Sequence, residues 1–174
     1  MTSELNSAWT LVLSYSYQNA SRFSKSLEDD SPVSVDNPNW HHYRMSKTEM
    51  ENLKTLSTHW RITCSFPKVG VDYVDYLRAS FMEFNPLSFN SNHGKCMNVE
   101  IINIKNNKCM NCTAYFKQSI KTLHHFKNGC YYGKNAAQTQ GNHDYFGNYE
   151  SPDSSFRCTS GPEETTNMWF GGYV

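Results

Sequence analysis

Six cysteines in a chain of 174 residues constrain the fold more than any other feature: Cys64, Cys96, Cys109, Cys112, Cys130 and Cys158. An even set spread between turn-rich segments reads as a disulfide framework, which belongs to an oxidising compartment. Fifteen pairings are possible, and spacing alone selects none. Two N-glycosylation sequons, Asn19-Ala20-Ser21 and Asn111-Cys112-Thr113, are compatible with the same compartment. The N-terminus, however, carries neither the basic segment nor the apolar segment of a secretory leader. Cysteine usage and N-terminus therefore point in opposite directions.

The rest of the composition suits a sheet. Aromatics reach 14%, with abundant Asn, Ser and Thr. Lysine plus arginine (16) balances aspartate plus glutamate (16), so charge gives no argument for nucleic acid. No apolar run is long enough to span a bilayer, and the length fits one domain over 1–174.

Period-two alternation marks the strands. In AWTLVLSYSY, Trp9, Leu11, Leu13, Tyr15 and Tyr17 fall on one side, and Thr10, Ser14 and Ser16 on the other. In WRITCSF, Trp60, Ile62, Cys64 and Phe66 point inward up to Pro67. MNVEIINIK is apolar on both faces and reads as a central strand. VDYVDYLRASFMEF fits helix or strand. A helix is well marked at MSKTEMENLKTLSTH: Ser46 and Glu49 have capping-box spacing, Met45 and Met50 stand at staple positions, and Met50, Leu53 and Leu56 form the apolar stripe. Beyond Cys130, glycines punctuate a long, irregular, loop-rich C-terminal region.

Cys109-x-x-Cys112 followed by His124-His125 raises zinc, which needs four N or S ligands in a tetrahedron. Adjacent histidines project in different directions, and disulfides outweigh zinc here. His41-His42 reads as polar residues flanking a packed Trp40, and Asp29-Asp30 and Glu163-Glu164 as solvated turns. No carboxylate pair or nucleophile elbow is recognisable, so the expectation is a non-catalytic protein. The segment GNHDYFGNYESPDSSFRCTSGPEETTNMWFGGY interleaves hard oxygen groups, which suit calcium, with aromatic rings that suit a binding pocket.

AWTLVLSYS, NPNWHHY and DYLRASFMEF resemble landmarks of fibrinogen C-terminal-like domains: a Trp-Thr-hydrophobic strand, an Asn-Trp-x-x-Tyr stretch and a Leu-Arg-x-x-hydrophobic strand. STHWRITCSFP, HHF, FRCTSGP and TTNMWFGGY are similar to divergent invertebrate members, and intelectins share the Trp-Thr-Leu opening. The resemblance departs at Asn6-Ser7-Ala8, where the family has glycines, and at Met168-Trp169-Phe170, which no cysteine follows. It implies an α+β fold, a twisted antiparallel sheet with few short helices, and it turns DYLRASF into a strand. Met1-Thr2-Ser3 is similar to the end of the family's Cys-Asp-Met segment, which implies an N-terminally truncated domain. That would resolve the compartment contradiction. The first strand would then lack a neighbour, and one cysteine its partner.

By the same resemblance the chain is an extracellular or cell-surface lectin-like module binding glycan or acetylated ligands. Calcium would sit at Asn142 and Asp144, and ligand at Tyr145, Phe146, Trp169 and Phe170. The competing readings are an extracellular adhesion domain with a protein partner and a cytosolic zinc-binding protein.

Overall fold

The computed structural model describes residues 6–126, 129–135, 145–147 and 149–173. Its frame is one eight-stranded sheet in the order β2-β1-β8-β3-β4-β5-β6-β7, with every neighbouring pair antiparallel. The strands are β1 (Ser7–Ser16), β2 (His42–Arg44), β3 (His59–Cys64), β4 (Tyr76–Ser80), β5 (Ser91–Ile104), β6 (Asn107–Gln118), β7 (His124–Phe126) and β8 (Thr165–Tyr173). Among the described residues, three short helices accompany them: α1 (Lys47–Thr55), α2 (Phe66–Val69) and α3 (Tyr131–Asn135). Among the described residues, no helix is long and apolar enough to cross a membrane.

Within the ambiguous segment, YLRAS is a strand, β4. Helix α1 begins as expected: Ser46 Oγ accepts from the Glu49 amide at 3.3 Å, and Glu49 Oε2 accepts from the Ser46 amide at 3.2 Å. This reciprocal bonding satisfies two amides at the helix start. Asp30, expected to be a solvated turn residue, accepts from the Lys47 amide at 2.9 Å and so joins the cap. The stripe is shorter than expected. Met50 is fully buried, but Leu56 is 87% exposed, because the helix ends there.

Two strand registers differ from the simple alternation. A bulge between Leu11 and Leu13 reverses the first strand halfway. Leu11 pairs with Trp169, whereas Leu13 and Tyr15 pair with Met168 and Thr166 on the opposite face. One extra residue is enough to exchange the faces, because the side-chain period is two. Tyr17 leaves the strand to begin a 3₁₀ turn over Tyr17–Arg22. Phe66 is likewise not a strand residue. Ser65 turns left-handed (φ 55°), and Phe66 starts α2 with Pro67, which suits a first helical turn that needs no amide donor.

The C-terminal region is more regular than expected. TTNMWFGG lies in β8, hydrogen-bonded between β1 and β3 at the middle of one half of the sheet. Gly171 allows this close pairing, since a Cβ there would stand 2.0 Å from the Ala8 carbonyl oxygen. β5 and β6 form a long hairpin whose turn residues Lys105 and Asn106 both have positive φ, as a tight two-residue turn requires.

The core covers one sheet face. Trp60, Ile62, Leu77, Ala79, Ile102, Met168 and Phe170 pack there with Met50 of α1 and the loop residues Phe84, Phe89 and Phe156. The Trp60 indole donates to the Phe84 carbonyl at 2.7 Å, so its polar atom is satisfied. On the other face, the Arg61 guanidinium lies 4.2 Å from the Trp9 ring centroid and 5.5 Å from that of Trp169. Buried Arg44 donates to the carbonyls of Lys25, Ser26 and Asp29, which ties down the polar segment before β2.

All six cysteines pair: Cys64 with Cys158, Cys96 with Cys130, and Cys109 with Cys112. The expectation of one cysteine without a partner is overturned. Three residues apart on a regular strand, Cys109 and Cys112 would face opposite ways; left-handed Asn111 (φ 48°) breaks the alternation and their Cα atoms stand 6.3 Å apart. The expected missing neighbour is corrected as well. β1 pairs with β8 throughout and with β2 at Leu13–Tyr15, which leaves an open edge only before the bulge.

Candidate binding clefts

Strand β7 is only three residues long, and it places two buried histidines on opposite faces. It pairs Lys117 with His124, Phe116 with His125, and Tyr115 with Phe126. Alternation turns His125 inward and leaves His124 and Phe126 together on the outer side, their rings 4.9 Å apart.

His125 is 2% exposed and packs against the rings of Phe116, Tyr132 and Tyr145. Its Nδ1 has no hydrogen-bond partner among the described residues. Burial, and secondarily His124, depress its pKa to about 3, so it is a neutral packing residue at pH 7. His124 Nδ1 donates to the Thr122 carbonyl at 2.7 Å, which leaves the lone pair on Nε2. Burial lowers its pKa first, and the cationic Lys121 and Lys117 lower it further, although the Thr122 bond opposes them. Lys117 Nζ stands 5.0 Å from the centre of the Phe126 ring.

Two clefts meet at His124 and Lys121. The first, about 210 Å³, adds Lys117, Phe126, Asn92 and the Ser119 hydroxyl. The second, about 290 Å³, adds Ser21, Ser24, Thr122 and Tyr149. Among the described residues, no aspartate or glutamate lines either one. In a chain of balanced charge, this is a local cationic, hydroxyl-rich and aromatic surface. It can hold a polar ligand through hydrogen bonds, an apolar ring face and charge attraction to an anion.

The residues expected to bind ligand do not come together. Tyr145 lies beside these clefts, 5.7 Å from the Phe126 ring. Phe146 and Phe170 are core residues, 1% and 0% exposed, against Phe156 and Phe81 respectively. Trp169 is on the opposite sheet face: its indole donates to Thr63 Oγ1 at 2.9 Å, and it packs against Phe66 and Trp40. Beside it is a small cleft of about 130 Å³ bordered by Trp40, His41, Lys68 and Glu164. Glu164 bonds Lys68 and the Ser65 hydroxyl; those bonds outweigh its burial and lower its pKa, so it is not a merely solvated residue. His41 faces Glu163 at 3.3 Å, and His42 packs on the Phe23 ring.

Asn142 and Asp144, the expected calcium ligands, lie outside the described residues. Among the described residues, no group of three or more His, Cys, Asp or Glu is placed to hold a metal. Cys109 and Cys112 are bonded to each other, and Cys112 is four residues along β6 from the position opposite His125, a separation of roughly 13 Å. The spacing that suggested zinc therefore does not gather four ligands. Sequence reasoning missed Lys117, Lys121 and Phe126. The available signal was the run K-T-L-H-H-F, in which a strand's alternation puts one histidine and the phenylalanine on the same side.

The chain matches no protein-family model, no curated protein and no solved structure.

Proposed function

We propose that this chain is a non-catalytic extracellular recognition module that binds glycans, with an acidic sugar group held in the paired clefts at Lys121 and His124. The observation that carries this reading is the absence of carboxylates from two adjoining clefts that share a lysine and a histidine, among the described residues. Phe126 offers a ring face to a sugar, Ser21, Ser24 and Ser119 offer hydroxyls, and Lys117 and Lys121 favour a carboxylate or sulfate. The disulfide pairs support an oxidising compartment. Calcium binding that involves Asn142 and Asp144 belongs to the same proposal.

An oligosaccharide array run in calcium and in chelator tests it, with neutral, N-acetylated, uronic, sialylated and sulfated members. Binding should concentrate on the acidic members, weaken with salt and fall about tenfold in Lys121→Glu. Silence across the array in both conditions would remove the glycan reading and leave adhesion to a protein partner.

A further inference from the structure

A cleft of about 400 Å³ bordered by Ser80, Glu83, Asn98 and Glu100 has one of the two sequon asparagines in its wall. We propose that Asn111 carries an N-linked glycan whose first sugar lies in this cleft. The proposal rests on the extracellular reading, because the transfer takes place in the secretory lumen. There the Asn111 amide nitrogen attacks the anomeric carbon of a lipid-linked oligosaccharide pyrophosphate. A C–N bond forms, the C–O bond to pyrophosphate breaks, the nitrogen loses one proton, and the lipid pyrophosphate departs.

Asn111 is exposed, and its side chain makes no hydrogen bond among the described residues. Its left-handed backbone (φ 48°) interrupts the β5–β6 ladder between the pairs Val99–Cys112 and Ile101–Met110. Asparagine tolerates that conformation better than most side chains.

The cleft is built for a polar, uncharged ring. Asn98 Nδ2 donates to Glu83 Oε2 at 2.7 Å, while Glu100 accepts from Arg78 Nε and faces His59 Nε2, both at 2.8 Å. The carboxylates are thus held in place with lone pairs left for sugar hydroxyls, the Asn98 carbonyl can accept from the acetamido N–H, and Ser80 adds a hydroxyl. The volume is within the range of small-ligand sites. The ring closed by Cys109 and Cys112 encloses Asn111, so transfer precedes closure of that disulfide on the unfolded chain.

The test is to express the chain behind a heterologous secretory leader in a eukaryotic host and measure intact mass and peptide maps after amidase digestion in heavy-oxygen water. A glycan should be found at position 111, and Asn111→Gln should lose that glycan's whole mass. An unmodified Asn111 overturns the site assignment. Amidase release from the native protein should be several-fold faster in Glu83→Ala/Asn98→Ala than in the parent; equal rates overturn the cleft placement. These readouts do not depend on the array, so a failure here and a failure of ligand binding remain distinct.

Discussion

At the scale of single residues, two adjacent histidines show how burial keeps an imidazole neutral. His125 has an ordinary imidazole value of 6.5 depressed to about 3 by burial. The unfolded chain therefore binds a proton that the native state refuses between those values. Stability is complete above about pH 6.5 and falls as pH drops toward 3, a loss of about 2 kcal/mol from pH 7 to 5. His124, also depressed, adds in the same direction. Urea midpoints at both pH values should show this slope in the parent and a shallower one in His125→Phe; an unchanged slope would assign the dependence elsewhere. The tryptophans divide by burial. Trp60→Ala should cost about 3–5 kcal/mol, because it empties a buried site against Phe84. Alternation alone assigns Trp9 the same cost. Half-exposed over Arg61, it should lose only about 1 kcal/mol as Ala. Similar unfolding temperatures for the two variants would contradict this placement.

At the scale of elements, legibility followed how local the cause was. The α1 start could be read because Ser46 and Glu49 bond each other within one turn. β3 was legible up to Cys64 because apolar Trp60, Ile62 and Cys64 alternate with polar Arg61 and Thr63, although both faces are buried. β1 was legible as a strand but not in register, since the bulge between Leu11 and Leu13 arises from pairing with β8, over 150 residues away. The sequence reads β8 itself as part of an irregular binding segment. Its two faces are both buried, Thr166, Met168 and Phe170 toward the core and Asn167 and Trp169 toward the second face, so hydrophobic alternation is lost. Of the expected binding residues, Trp169 and Phe170 on β8 and Phe146 outside it are buried against other aromatic rings. Lys117 and His124 became neighbours only through the β6–β7 register.

At the scale of the whole molecule, the disulfides differ in how much chain they close. Cys64–Cys158 spans 94 residues, Cys96–Cys130 spans 34 and Cys109–Cys112 spans 3. Chain entropy then ranks their paired alanine variants at losses of about 4–5, 4 and 2 kcal/mol respectively. Chemical denaturation of the three double variants checks the order, and a loss from the Cys109–Cys112 variant as large as that from Cys64–Cys158 would refute it. The sequence by itself determined the sheet-rich class, helix α1 and most strand positions, because propensity, capping and period-two patterning act over a few residues. Only the tertiary structure decided which cysteines pair, that the last strand lies between the first and third, which aromatics are core, and where carboxylate-free clefts open. Each of those depends on contacts between segments tens of residues apart, and no local pattern records them.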